Sequence, residues 1–403
     1  MKAQAERSTK AESHFTGQRL DTTVVRNAKE FASLEGEWDD LYRHSPRATP
    51  FQSWAWLYSW WESYGEGYEL RLVTVRDGEG LLVGILPLML ERRWGLGRLL
   101  LIGAGPTDYL DVLAREEWEQ EVAQAGARVL KELDGWRVAD LWDVRPTAAV
   151  WDIFHGWEDP KTCFRRFGSP VMDVRSWEEL LASLSRNHRS TVRRTLRRVQ
   201  NDGVRSELAK SADAAQAATR WIALHQKAWK GRNIAPEHLD KRFKAHLEAA
   251  ARRMTARGLG SISEFWRDGE VIASHFLVFG RDSVGEHLLG ATQGTLRRYQ
   301  ISSLYIWDLV NVARARHSNY LDFLRGEEPY KLRWASRVVP NHRLVLGRDR
   351  VFWAPYAGYQ ALRSKTELYV YSEGAPGWVK RAVAIRLLLR RKLRSKSVEG
   401  VQK

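Results

Sequence analysis

Helical and strand spacings follow one another twice along this chain. Glu35 to Arg43 and Trp54 to Tyr64 place apolar residues at helical intervals, the second segment crowded with Trp54, Trp56, Trp60 and Trp61. Such rings fill a core or a domain interface more often than they form a ligand platform. From Leu70 the spacing becomes that of strands: Leu70 to Val75, a turn at Arg76-Asp77-Gly78-Glu79, then Leu81 to Leu90. Asp-Gly between apolar runs supplies the backbone freedom a hairpin turn needs. The hairpin recurs as Ile262 to Trp266, Arg267-Asp268-Gly269-Glu270 and Val271 to Phe279.

Each hairpin is followed by further strands, a helix and a late apolar strand. These are Glu116 to Leu133 with Val138 to Val144 in the first half, and Ser303 to His317 with Tyr320 to Leu324 in the second. Both late strands carry an aspartate with an arginine behind it, Asp143 with Arg145 and Asp322 with Arg325. One repeated turn means little, since Asp-Gly turns are common. The repeated order of elements predicts two similar α/β domains. They are expected over residues 21–165 and 166–345, after a disordered tail at 1–20 and before a C-terminal extension at 346–403.

Two further segments are amphipathic. In Arg186 to Gly203, Val192, Leu196 and Val199 share one helical face, and Arg189, Arg193, Arg194, Arg197 and Arg198 mostly occupy the others. Such a run is usually a solvated face; the arginine density here points to an anion-contacting surface. In Trp378 to Lys396, Trp378, Ala382, Ile385, Leu389 and Leu393 form a stripe ringed by Arg381, Arg390, Arg391 and Arg394. That segment suits either an anionic membrane surface or packing on its own domain.

Composition narrows the setting. A chain of 403 residues with 44% apolar residues and 19 tryptophans can bury more than one core. Cys163 is the only cysteine, which rules out an internal disulfide and a cysteine-based zinc site and favours a reducing compartment. No metal is expected. Met1 to Gly17 is polar, without the apolar core of a secretory leader, and the run Leu81 to Leu90 is too short to span a bilayer. A cytoplasmic protein is expected, peripheral at the inner membrane face if the terminal stripe binds lipid. The net charge of +15 suits a polyanion, an anionic membrane or a phosphorylated substrate without choosing among them.

Candidate chemistry concentrates between Glu286 and Trp334. A strand, Glu286 to Ala291, enters the polar loop Thr292 to Gln300, and a helix follows with Ser302 or Ser303 as N-cap. Free amides and the positive dipole end at such a junction suit a phosphate group, with Arg297 and Arg298 adding charge and Gln300 and both serines adding polar contacts. After the helix, Asp322, Arg325, Tyr330 and Lys331 gather at the C-terminal end of a strand, where open α/β sheets place ligands. An ion-paired structural turn, Asp322 with Arg325 or Arg333, is the plainer alternative.

The Arg186 to Gly203 segment, the second Arg-Asp-Gly-Glu hairpin and above all the string from Leu321 to Trp334 resemble the CelD/BcsL-like branch of the GNAT acetyltransferases. That branch is related to the FemAB-type aminoacyltransferases. Trp54-Ala55-Trp56 and Pro106-Thr107-Asp108-Tyr109-Leu110-Asp111 resemble first-domain features of the same branch. The resemblance covers about residues 25–345. It implies two tandem GNAT-like domains, each a mixed, mostly antiparallel sheet with flanking helices and a V-shaped splay. It further implies acyl transfer from acetyl-CoA or another acyl-CoA to an amine, with an amino sugar in polysaccharide or cell-envelope biosynthesis suggested as acceptor. The glycine-rich pyrophosphate signature of typical GNAT enzymes is absent, and Arg297 to Ser302 stands in its place.

Acyl transfer needs a base to take the ammonium proton and an acid to protonate the departing thiolate. Glu286 or His275 is the expected base and Tyr330 the expected acid. Asp108, Tyr109, Asp111, Asp322, Arg325 and Lys331 are expected to shape the acceptor side. FemAB-like transfer from charged tRNA is the alternative, and non-enzymatic nucleic-acid binding is a third reading without any zinc-finger or RNA-binding motif to support it.

Overall fold

The computed structural model describes residues 20–93, 96–229, 238 and 240–371. The first half contains β1 (Asp21–Val25), α1 (Ala28–Ser33), α2 (Glu35–Arg43), α3 (Trp54–Tyr64), β2 (Glu69–Leu70), β3 (Leu72–Arg76), β4 (Leu82–Leu86), β5 (Leu88–Arg93) and β6 (Leu96–Leu101). It continues with β7 (Leu113–Ala114), α4 (Glu119–Glu132), β8 (Val138–Val144), α5 (Val150–Gly156) and β9 (Lys161–Arg165).

The second half opens with β10 (Ser169–Asp173), α6 (Trp177–Ser183), α7 (Arg186–Asn201), β11 (Arg205–Leu208), α8 (Ala214–Trp229), α9 (Lys241–Ala256), β12 (Gly260–Arg267), β13 (Glu270–Phe279) and β14 (Ser283–Ala291). It ends with α10 (Gln293–Arg298), α11 (Ile301–Ala315), β15 (Tyr320–Asp322), α12 (Pro329–Leu332), β16 (Arg337–Val339), β17 (His342–Gly347) and α13 (Arg350–Tyr371).

Local chemistry starts several of these helices. Asn27, Ser53, Ser185, Asp240 and Thr292 each accept an amide of the following first turn, and Ser176 with Glu179 closes a reciprocal capping box.

In the second domain one seven-stranded sheet runs β11-β12-β13-β14-β15-β10-β16. The first domain repeats that order across two sheets, β1-β3-β4-β7 and β2-β5-β6-β8-β17-β9. Its hairpin bends between β2 and β3 at Arg71 and between β4 and β5 at Pro87, so the run Leu81 to Leu90 passes from one sheet to the next. Proline has no amide to give to a ladder, which explains the break. The second hairpin has no such residue. It turns in two residues, Asp268 (φ 51°) and Gly269 (φ 80°), between β12 and β13, which stay in one sheet with a single register shift between Phe265 and Trp266.

Each domain closes with a strand from the other side of the chain. β10 precedes the second domain's other strands yet lies between β15 and β16, while β17, beyond that domain in sequence, lies between β8 and β9. A boundary at residue 345 therefore falls inside a strand of the first domain's sheet. The exchange couples the two cores. One apolar cluster takes Phe31, Trp38, Trp54, Trp56 and Trp60 from the first domain and Trp221, Phe243, Phe276 and Leu324 from the second. The tryptophan-rich α3 is thus an interface helix, packed on α9.

Among the described residues no helix is long and apolar enough to cross a membrane. The amphipathic stripe from Trp378 onward lies outside the described residues, as does the tail before Leu20.

Candidate active site

The parallel strands β14 and β15 pair over three positions only, Ser283 with Tyr320, Val284 with Leu321 and Gly285 with Asp322. Beyond them the strands part, for reasons visible on both sides. On β14 the register against β13 shifts by one residue, leaving Leu288 unpaired at φ 55°, a bulge that bends the strand. On β15 the Asp322 carboxylate accepts the amide of Leu324 at 2.8 Å, and Leu324 itself turns at φ 57°.

On the α11 face of the parting, His275 from β13 is fully buried between two carboxylates. Its Nδ1 is 3.0 Å from Glu286 Oε1 and its Nε2 is 2.9 Å from Asp308 Oδ2. Burial alone would lower the imidazole pKa, but the two carboxylates outweigh it and hold the ring up at about 9. The same pairing keeps Asp308 below the usual carboxylate range despite burial. Tyr305 donates to the carbonyls of Ser274 and Gly290 at 3.3 and 2.6 Å, tying α11 to both strands beside the bulge. Tyr330, on α12, faces the same Glu286, and burial followed by that charge pushes its phenol well above 10.

On the opposite face the first domain reaches across. His287 Nδ1 is 2.8 Å from Asp108 Oδ2, and its Nε2 is buried without a hydrogen-bond partner among the described residues. Burial pushes Asp108 up, but the His287 bond and Arg325 carry it below the ordinary value. The Tyr109 hydroxyl donates to Asp322 at 2.8 and 2.9 Å while the Arg145 guanidinium lies 4.7 Å over its ring. Burial raises the Asp322 pKa in spite of both neighbours. Arg325 donates to Asp143 at 2.5 Å and to the Gly105 carbonyl at 3.0 Å, and Lys331 holds the Arg325 carbonyl at 3.0 Å.

Most of the residues expected from the sequence therefore meet at this parting: Glu286, His275 and Tyr330 on one face, and Asp108, Tyr109, Asp322, Arg325 and Lys331 on the other. Asp111 lies apart. Its carboxylate accepts the amides of Val112, Ala149 and Val150, all at 2.8 Å, and closes the start of α5; burial brings its pKa to about 7 although these amides oppose the shift. His275 has both ring nitrogens occupied, so it can orient Glu286 but has no lone pair free for an ammonium proton.

At the start of α11, Gln300 accepts from Ser303 at 2.6 Å, and Ser302 is half-buried. Arg298 is tied to Asp202, while Arg297 is exposed. Sequence reasoning missed Asp308 and His287. Asp308 had a signal, as the one acid within the apolar stretch Leu304 to Val310. His287 had none, because the bulge that separates its facing from Leu289 is not written in any residue type.

A separate depression of about 680 Å³, lined among others by Arg47, Trp151, His155 and His342, lies in the first domain and includes none of these groups; Arg47 there is already paired with Glu119 and Asp152.

No curated protein matches the chain by sequence. Among solved structures, FemX is similar over 85% of this chain and 99% of its own, with a TM-score of 0.56 and 11% identity. A conserved protein of unknown function from Bacteroides thetaiotaomicron VPI-5482 is similar over 80% of this chain and all of its own, with a TM-score of 0.53 and 11% identity. At such identities these likenesses speak for the fold alone. A family model is more specific: the acetyltransferase (GNAT) domain matches residues 186–332, from the start of α7 to the end of α12. The matched stretch of the second domain, with the strand parting at its centre, has the sequence pattern and the fold of a GNAT acyltransferase domain.

Proposed function

We propose that the chain transfers an acetyl or other acyl group from acyl-CoA to a primary amine held between the two domains, in the manner of the CelD/BcsL-like branch. An amino sugar of polysaccharide or cell-envelope biosynthesis is the favoured acceptor. The observation that carries this reading is the parting of β14 and β15 after three paired positions, inside the matched family domain. It leaves strand edges free to pair with an extended pantetheine arm. The amides opening α11, with exposed Arg297 beside them, suit the donor's phosphates. No acidic residue stands in the first turn of α11 to oppose an anion.

Glu286 takes a proton from the acceptor ammonium, the freed lone pair attacks the thioester carbonyl, and the C–N bond forms as the C–S bond breaks. Tyr330 protonates the departing thiolate, and the second nitrogen proton leaves to solvent. Asp108, Tyr109, Asp322 and Arg325 shape the acceptor side. The proposal places the protein in the cytoplasm, with contact to the inner membrane face resting on the undescribed C-terminal stripe.

The test is thermal melting with acetyl-CoA, CoA and charged tRNA separately, followed by mass detection of acylated amino sugars. A ligand that binds only the folded state raises its melting temperature. Stabilisation by acetyl-CoA and acetylated product are expected. Binding of tRNA alone would replace acyl-CoA by an aminoacyl donor, a second reading favoured by the exposed Arg193, Arg194, Arg197 and Arg198 along α7.

A further inference from the structure

We propose that Asp308 and His275 are positioning residues that fix the orientation and the charge of Glu286 through one buried chain of hydrogen bonds. The inference rests on the acyl-transfer reading and goes beyond it in saying what makes this glutamate a usable base.

The geometry runs from the helix to the cleft. Asp308 stands on α11 among Leu304, Tyr305, Ile306, Leu309 and Val310, all buried, so its carboxylate is carried by an otherwise apolar face. It meets His275 Nε2 at 2.9 Å, and His275 Nδ1 meets Glu286 Oε1 at 3.0 Å. Phe265 and Tyr305 enclose the imidazole with ring centroids 5.6 and 4.7 Å away. A ring held at both nitrogens cannot rotate, and Glu286 is the first residue of β14 beyond the last position paired with β15. Only Oε1 of Glu286 is engaged; Oε2 has no hydrogen-bond partner among the described residues and remains for the acceptor.

Charge completes the argument. The groups facing the imidazole and its partners are Glu286 from β14, Asp308 and Tyr305 from α11, and Ser263 from β12. Ser206 from β11 lies beside Asp308, and Tyr330 from α12 faces Glu286. Two carboxylates around one ring stabilise the imidazolium at neutral pH. That imidazolium holds its Nδ1 proton against Glu286 Oε1 at 3.0 Å, which fixes the carboxylate in place. A buried ion pair built for stability alone would gain nothing from leaving one carboxylate oxygen open at a strand parting.

The experiment uses the full chain. The Glu286 carboxyl is titrated by carbon NMR on glutamate-labelled protein, assigned with Glu286→Gln, in wild type and in His275→Gln. The acid limb of kcat/KM is measured alongside with acetyl-CoA. Loss of the cation should raise both the carboxyl pKa and the acid limb by roughly 1–3 units. Asp308→Asn should lower the imidazolium pKa by about a unit or more, and Asp308→Glu should restore it. An unmoved Glu286 titration in folded His275→Gln overturns the proposal, as does a kcat loss with an unshifted limb, which marks a structural role. If His275→Gln unfolds, the Asp308→Asn imidazole titration decides, and a ring that keeps its pKa there overturns the proposal. A wild type without acyl transfer from any donor would sink the proposed function instead, and the NMR titration would still decide the relay.

Discussion

At the start of α4 the first turn carries Glu119 and Glu121, with Glu116 and Glu117 just ahead of it. In the same topological place of the second domain, α11 has no acid in its first turn and follows Arg297 and Arg298. A helix N-terminus attracts anions, so the first domain repels at that point what the second attracts. The strand preceding each helix differs as well. One residue past its last pairing with the neighbouring parallel strand, β6 carries Leu100 and β14 carries Glu286.

The buried charges divide in the same way. In the first domain Asp140 forms a bidentate pair with Arg343, both bonds 2.6 Å and both side chains without solvent exposure, further braced by Tyr356 from α13. In the second, the chain from Asp308 to Glu286 ends in a carboxylate oxygen without a hydrogen-bond partner among the described residues. On the proposed acyl-transfer reading, one seven-strand plan serves as scaffold in one copy and as reaction site in the other. The first copy's loop after β6 carries Asp108 and Tyr109 across to the second.

The largest expected effect falls on the copy assigned to chemistry. If Tyr330 protonates the thiolate, Tyr330→Phe should keep donor affinity and lower single-turnover rate by roughly 10²–10⁴-fold. Unchanged turnover would make the phenol a packing group and weaken the contrast between the domains.

Next comes the scaffold pair. Arg343→Met leaves Asp140 buried with Arg98 at 3.3 Å as its remaining cation, and should cost about 3–5 kcal/mol in urea unfolding. Because Arg343 lies on the exchanged β17, unfolding should stay a single transition. Two separated transitions would show that the strand exchange does not couple the domains.

The third effect depends on pH. The folded pKa of His275, about 9, stands above its unfolded value near 6.5, so the folded state binds the proton more tightly. Its contribution to stability is complete below about pH 6.5, fades as pH rises and is gone above about 9. Urea midpoints should fall across that window in wild type and fall less in His275→Gln. Equal slopes would mean that the ring is neutral in the folded protein.

Much of this plan was legible in the sequence, because hairpin turns and amphipathic periods are local. Arg267-Asp268-Gly269-Glu270 forms the tight turn that Asp-Gly predicts. The strand exchange was not legible, since nothing in Val171 or Leu344 says which of two similar sheets will take the strand. The site was half legible. Polar residues crowded after β15 announce it, but Asp308 and His275 become partners only when α11 lies across β13. Asp111 could not be told from Asp108 by composition: three residues apart, one meets a histidine of the other domain and the other meets the amides of its own.

The smallest expected effect tests which donor the second domain takes. Arg193, Arg194 and Arg197 are exposed on α7 and make no ion pair among the described residues, and α7 carries no acid in its first turn. Replacing Arg193 and Arg194 with glutamine should leave stability within about 0.5 kcal/mol, as for surface substitutions away from packed features. With acetyl-CoA as donor, KM should barely change, because α11 rather than α7 supplies the amides for its phosphates. A charged-tRNA donor predicts otherwise: each arginine that neutralises a phosphate adds roughly 0.7–0.9 to the slope of log affinity against log salt, so the double variant should flatten that slope by up to about 1.8. Measuring tRNA affinity at several salt concentrations separates the cases. A flattened slope, with transfer from tRNA, would turn the basic helix into part of the reaction site and move the boundary between scaffold and chemistry outward from the strand parting.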